Sequence, residues 1–391
     1  MKKIISVLLA AIMLLSLCSI ALADESGKQL KFNDGKFKIL MLTDTQDDQY
    51  PAYDMLNLVS LSIKETNPDL IIFTGDLVED SRIGDLFIDD QPFKEGTEVK
   101  DGDKWLENVR TASNAVLDIF EESGVPFALA QGNNDHKCTT NDNWLDIYSQ
   151  YSNCLVTDMS EDKDGRIDYN LPIYGSDGSM KFNLWLLDTG RGGLSSESLE
   201  WYNEKCAEIT EANGSPVPAM AFQHIHMADV GNLFIECSPF ETGATASGSR
   251  FYKLDRTKAT GKNFFAYPPC EPTAEFKAFK ENGDVIGAYF GHQHVEGFAG
   301  TVDGIELGFT YGGEMAKMGP YGCRLITLHE DDVKSFDNEC YTYEGSVKLN
   351  NARLQLQEDK EEKNLGFFIQ FFRYIRNFIF SMVSVVIDLV A

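Results

Sequence analysis

Five apolar runs recur along the first three quarters of the chain, and each ends in a short polar signature. The runs are Phe37-Lys38-Ile39-Leu40-Met41-Leu42, Leu70-Ile71-Ile72-Phe73, Phe127-Ala128-Leu129-Ala130, Met220-Ala221-Phe222 and Val285-Ile286-Gly287-Ala288-Tyr289-Phe290. Short continuous runs of branched and aromatic residues, bounded by turn formers, predict strands buried on both faces. The endings are Asp44-Thr45-Gln46, Gly75-Asp76, Gly132-Asn133-Asn134-Asp135, His224 and Gly291-His292-Gln293-His294. Between the first two, residues 52–65 place Met55, Leu56, Val59 and Ile63 near the helical period, before Asn67-Pro68 stops the helix. Residues 105–122 repeat the pattern with Leu106, Val109, Ala112, Val116 and Phe120, and Gly124 ends it. Two β-α-β units follow, so the sheet is at least partly parallel. Later pieces such as Ile173-Tyr174 and residues 182–187, separated by Gly-, Asp- and Ser-rich turns, predict antiparallel strands, and residues 198–211 predict another helix.

Sites in α/β sheets form outside the carboxyl ends of the strands. Strands that gather in one sheet and end in Asp, Asn and His therefore deliver oxygen and nitrogen ligands to one place, which predicts a metal centre. Any one of these residues alone reads as a helix cap or a turn residue. Together, ordered and each following a strand, they read as ligands. Of the six histidines, only His329 lies clearly outside the motifs and their neighbours.

Charge and compartment narrow the picture. A formal charge of −27 excludes nucleic-acid binding through a basic surface, since phosphate contacts need clustered Lys and Arg. A small phosphorylated substrate stays compatible, because cations fixed in a site supply a local positive field. Residues 1–23, with Met1-Lys2-Lys3, an apolar stretch and Ala21-Leu22-Ala23, have the form of a secretory leader, which predicts an exported chain, extracellular or at the cell surface. Of eight cysteines, Cys18 lies in that leader, leaving seven, an odd number for a disulfide framework. Cys237 and Cys270 bracket one long insertion and are the candidate pair.

Residues 24–345 are expected to form one catalytic domain. It carries an acidic insertion at 81–103 and a Gly-, Thr-, Lys- and aromatic-rich insertion at about 236–272, read as a long loop beside the fourth signature. A charged linker, 346–364, leads to an amphipathic, strongly apolar helix at 365–391, which must bury itself in a membrane surface, a partner or its own domain. Membrane-surface attachment or a shallow anchor is the expectation. A spanning helix is disfavoured by Arg373, Arg376 and Asp388.

In this order the signatures resemble those of the calcineurin-like metallophosphoesterases, D-x-H, G-D, G-N-H-D, a lone His and G-H-x-H, over roughly residues 36–330. The likeness is greatest to purple-acid-phosphatase-like proteins that lack the iron-binding tyrosine. It is carried by Leu187-Asp188-Thr189-Gly190, Trp201, Phe222-Gln223-His224-Ile225 and residues 291–298. The resemblance implies an α/β fold of the α+β layered kind, with two packed mixed β-sheets flanked by helices in a four-layer sandwich. It implies that Asp44, Gln46 and His294 hold one metal, that Asp76 bridges, and that Asn133, His224 and His292 hold a second. Two divalent or trivalent ions, Mn, Fe, Zn or Mg, would serve a water-activating hydrolysis of a phosphate ester, in a small molecule or a phosphoprotein.

Two positions depart from the family pattern. Gln46 stands where the first motif has His, and a neutral amide oxygen suits harder ions such as manganese or magnesium. Asn134 stands where G-N-H-D has its histidine, so His136 or His226 becomes the candidate proton donor beside Asn134 itself. The same departures support a rival expectation, a surface binding protein with a degenerate metal centre.

Overall fold

The computed structural model describes residues 29–79, 102–159, 165–315 and 319–349. The leader at 1–23, the linker at 346–364 past residue 349, the apolar tail at 365–391 and the acidic insertion up to residue 101 lie outside the described residues.

Two mixed sheets face each other. The first runs Val347–Leu349, Phe336–Tyr343, Tyr321–His329, Lys36–Leu42, Leu70–Phe73, Phe127–Leu129, and its last three strands are parallel. The second runs Ala259–Thr260, Ala299–Val302, Ile305–Phe309, Val285–Phe290, Ala219–Gln223, Met180–Leu187, Tyr169–Tyr174, with the four central strands from Ile305–Phe309 to Met180–Leu187 parallel. Every one of the five predicted runs is thus a strand in the parallel part of a sheet. Their uniform apolarity has a direct cause in the layering. Along Lys36–Leu42, Phe37, Ile39 and Met41 pack into the core between the sheets, together with Phe222 and Tyr289. Leu40 and Leu42 point the other way and pack with Met55 and Val59 of the helix Tyr53–Thr66 and Val109 and Phe120 of the helix Gly102–Ser123. On the far side of the second sheet, Ala219, Ala221 and Phe290 meet Tyr202 of the helix Ser196–Asn213 and Phe276 and Phe279 of the helix Ala274–Asn282. Three apolar cores between four layers make the α/β/β/α sandwich that was expected, and no alternating polar face is left on the central strands.

Two expectations change. The stretch from 236 to 272 is built rather than a plain loop: Phe234–Glu236, Arg250–Leu254 and Thr245–Ser247 form a small antiparallel sheet. Its hairpin turns at Gly248-Ser249, where Gly248 takes φ +56°, a conformation open to glycine at no steric cost. Helical periodicity gave no sign of strands this short. The cysteine expectation also fails, because all seven described cysteines are free thiols, Cys237 and Cys270 included.

Candidate metal centre

The strand-end residues converge between the two sheets. Three ligand atoms from Asp76, His224 and His292 lie within 4.8 Å of one another, and so do three from Asp44, Asp76 and His294, making Asp76 common to both groups. Asp44, Asp76 and His224 are fully buried. Sequence-predicted residues from both sheets therefore meet at one point, although Asp44 and His292 are 248 positions apart.

The backbone is bent to bring them there. Asp44, Gln46, Asp76 and His292 all have positive φ, at 51°, 38°, 57° and 68°. Residues other than glycine seldom adopt that region, and when they do so together they mark a site whose surroundings over-determine it. The glycines of the motifs serve the same close approach. A Cβ on Gly132 would stand 2.1 Å from the Asp76 amide nitrogen, and one on Gly291 would stand 2.1 Å from Thr43 Oγ1. Asp135 braces the turn, its carboxylate accepting from the backbone N–H groups of Asp76, Leu77 and Gly132 at 2.9, 3.0 and 2.9 Å. Burial, reinforced by the Asp76 charge, pushes the Asp135 carboxyl up to about 7.

Around the second position, His224 Nδ1 donates to the Thr74 carbonyl at 2.8 Å, which turns Nε2 inward. Within 3.2 Å of that Nε2 lie Asp76 Oδ2, Asn133 Oδ1 and His292 Nδ1. Oxygen and nitrogen lone pairs so gathered demand a cation. Burial would lower the His224 pKa, but the Asp76 and Asp44 carboxylates outweigh it and push it up to about 9. Burial likewise opposes ionisation of Asp76, and the His224 charge overrides it, holding the carboxyl near about 2. The chemistry of this donor set, two carboxylates with imidazole nitrogens and amide oxygens, fits a pair of hard or borderline divalent ions.

Around the first position, Asp44 Oδ2 accepts from Thr43 Oγ1 and from the His292 backbone N–H, both at 2.8 Å. Its Oδ1 lies 3.2 Å from His294 Nε2 and has no hydrogen-bond donor. The Gln46 amide nitrogen is in close contact with Asp76 Oδ2, and a half-turn of the amide would present its oxygen instead. Behind His294, Nδ1 faces the buried Glu314 carboxylate at 2.8 Å. Burial would lower the His294 pKa, and Asp44 and Glu314 raise it to about 10.

The candidate proton donors are distributed differently. Asn134 touches the centre: its backbone N–H donates to Asp76 Oδ1 and its amide to Oδ2, each at 2.8 Å. His136 Nε2 instead pairs with the buried Asp188 at 2.7 Å, and that carboxylate outweighs burial to raise its pKa. His226 packs its ring against Tyr267 and Phe309, with centroids 5.2 Å away in each case, and its buried Nδ1 has no partner. Burial, helped by His292 and His224, lowers it to about 4.

Sequence reasoning missed three contributors. Asp135 was visible within a motif but had no assigned role. Lys137, whose ammonium donates to Asn134 Oδ1 at 2.8 Å, lies just past the same motif. Glu314 follows Gly312-Gly313, and those glycines are the available signal: a Cβ on Gly312 would stand 3.0 Å from Asp44 Cβ and 3.2 Å from His294 Cα.

A family model for the calcineurin-like phosphoesterases matches residues 37–296. Two Arabidopsis thaliana proteins are each 25% identical to this chain. Probable inactive purple acid phosphatase 28 matches over 328 residues, 72% of this chain and 70% of that protein. Probable inactive purple acid phosphatase 14 matches over 344 residues, 76% of each. A dimetal phosphatase from Danio rerio is 11% identical, with a TM-score of 0.44, over 77% of this chain and 98% of that one.

Proposed function

Since this chain belongs to the calcineurin-like phosphoesterase family, we propose that it is an active, exported, metal-dependent hydrolase of phosphate esters. The observation that carries the reading is Asp76, a carboxylate common to both groups of ligand atoms. Two divalent cations bound there would polarise the phosphoryl group and bring a water's pKa toward about 7. Asp44, Gln46 and His294 would hold one of them and Asn133, His224 and His292 the other, with Asp76 between.

The protein's own groups prepare that arrangement. Thr74 fixes the His224 tautomer by accepting its Nδ1 proton, leaving Nε2 as the inward donor atom. Asn134 keeps both Asp76 oxygens oriented through its backbone and side-chain N–H groups, which makes it a positioning residue. The Asp188 carboxylate holds the His136 ring through Nε2. Buried between apolar strands, these groups act in a medium that weakens charge interactions less than water does. Export is supported by the leader-like residues 1–23, and attachment to a membrane surface by the apolar face of residues 365–391.

A second reading is a metal-binding surface protein without turnover. The Gln46 amide nitrogen in contact with Asp76 and the names of the two Arabidopsis thaliana relatives favour it. One assay separates the two: p-nitrophenyl phosphate and its bis-ester, offered to the mature protein after chelation and after addition of Mn, Mg, Zn or Fe. The hydrolase reading expects metal-restored turnover that Asp76→Ala abolishes. Full activity in Asp76→Ala, or no restored turnover of either ester, overturns it.

A further inference from the structure

We infer that His226 is a substrate-binding residue of this centre, donating a hydrogen bond from Nε2 to an oxygen of the bound phosphate ester. The inference rests on the hydrolytic reading above and goes on to name the side chain that serves where the third motif has Asn134 instead of histidine. Asn134 is already committed: its backbone N–H and amide nitrogen bond to Asp76, and its oxygen accepts from Asn133 Nδ2 at 3.2 Å. His136 has its Nε2 on Asp188 at 2.7 Å. The His226 ring has no such commitment, and its buried Nδ1 lacks any partner.

The backbone carries His226 to the side of the second position. Two residues separate it from His224, a span of at most about 7 Å. The step between them is fixed, because the Ile225 N–H donates to Thr189 Oγ1 at 3.1 Å and the Ile225 carbonyl accepts from Gln223 Nε2 at 2.9 Å. The ring packs on Tyr267 and Phe309, each 5.2 Å away, and on Phe290 at 6.5 Å. Phe290 leads directly into Gly291-His292, and the Tyr267 hydroxyl meets the buried Glu296 carboxylate at 3.3 Å. Glu296, two residues after His294, also accepts from the Phe264 and Phe265 N–H groups at 3.0 and 2.7 Å, which ties the loop backing His226 to the fifth motif. The same ring is near enough to His292 and His224 for their charges to act on it.

Its two nitrogens differ. Nδ1 is closed off in the aromatic wall, whereas Nε2, also without a partner among the described residues, is not closed off. An N–H buried without an acceptor is rarer than a buried bare acceptor, so the ring hydrogen belongs on Nε2. With Nδ1 turned into the wall, Nε2 is the atom left to meet a ligand. A hydrogen bond from a fixed N–H strengthens as negative charge gathers on phosphoryl oxygens during displacement at phosphorus. His226 forms and breaks no covalent bond in this role.

The test uses the full chain loaded with magnesium or zinc, as wild type, His226→Phe and His226→Gln. Phenylalanine keeps the aromatic packing and removes the donor, while glutamine returns an N–H at about the reach of Nε2. Metal content and thermal melts establish that each variant is loaded and folded, and calorimetric titration with inorganic phosphate reads binding independently of turnover. His226→Phe is expected to keep both ions, to bind phosphate about 10- to 100-fold more weakly and to lose about 10²–10³-fold in kcat/KM. His226→Gln should stay within about tenfold of wild type. Heteronuclear NMR of the wild type with isotope-labelled histidine should find hydrogen on His226 Nε2. Hydrogen on Nδ1 alone would overturn the inference, and so would phosphate binding in wild type no tighter than in His226→Phe. Loss of an ion in His226→Phe would also overturn it, by making the residue a support for His224. A wild type that binds phosphate but turns over neither p-nitrophenyl ester would remove the hydrolytic reading, while the titration and the NMR spectrum would still decide the role of His226.

Discussion

Around Asp76 the two halves of the centre are held by different means. In the half made by Asn133, His224 and His292, Asn133 Oδ1, His292 Nδ1 and Asp76 Oδ2 each stand 3.2 Å from His224 Nε2, and a backbone carbonyl fixes the tautomer. In the other half, Asp44 and His294 are joined by the neutral amide of Gln46, and negative charge is applied from behind by Glu314. The first arrangement orients its imidazole through a main-chain carbonyl. The second depends on a side-chain carboxylate reached through a glycine turn. Ligand orientation is thus built into the sheet on one side and supplied by an outer neighbour on the other, so the Gln46 half is expected to bind its ion more weakly and to prefer a harder one.

Removing what the halves have in common should have the largest effect. Asp76→Asn keeps the shape of the side chain and discards the shared charge. It should reduce metal content from two ions to one or none and lower kcat/KM by more than the ~10²–10³-fold that loss of one transition-state hydrogen bond costs. Elemental analysis beside the ester assay checks this, and two retained ions would show that the halves do not depend on a bridging carboxylate. Next in size, His224→Ala should empty the Asn133 half alone, leaving one ion bound; loss of both ions together would erase the distinction. Glu314→Gln should act on the opposite half, weakening that ion by about 10- to 100-fold while the other stays. Its signature is a two-step metal titration whose steps move apart. Gln46→His is the sharpening experiment, since imidazole in place of the amide should bring the two steps together by about tenfold.

The sequence carried most of this geometry, for a physical reason. A strand buried on both faces is uniformly apolar, so its end is conspicuous, and the parallel order of Lys36–Leu42, Leu70–Phe73 and Phe127–Leu129 follows from the intervening helices. The convergence of Asp44 with His292 needed the packing of one sheet on the other, for which the motif order was the guide. Glu314 was hidden because nothing in Gly312-Gly313-Glu314 is periodic, and its meaning comes only from the closeness of His294. The strands at 245–247 and 250–254 were hidden for the opposite reason, since Thr245–Ser247 buries no side chain and Arg250–Leu254 buries only Tyr252 and Leu254, so neither carries a continuous apolar run. The free state of Cys237 and Cys270 is a matter of distance and direction, which spacing along the chain does not encode.

The smallest expected effect concerns stability behind the better-anchored half. Glu275 is buried beside Gln223, the residue before His224, and burial pushes its carboxyl up to about 8, with Asp229 adding to the rise. A folded pKa above the ordinary 4.5 means that the folded chain holds this proton more tightly than the unfolded chain does. The stability so gained is whole below about pH 4.5 and is lost as pH rises through about 8, with each pKa unit worth about 1.4 kcal/mol. Asp135, Asp168 and Glu296, raised to about 7, 7 and 8 by burial, slope the same way, so wild type should weaken steadily across that window. Glu275→Gln keeps the shape and removes the ionisation, and urea midpoints of the metal-free chain between pH 5 and 9 should fall less steeply than in wild type. Parallel curves would mean that the Glu275 carboxyl is ionised in the fold, and that the wall behind His224 carries a charge as the wall behind His294 does.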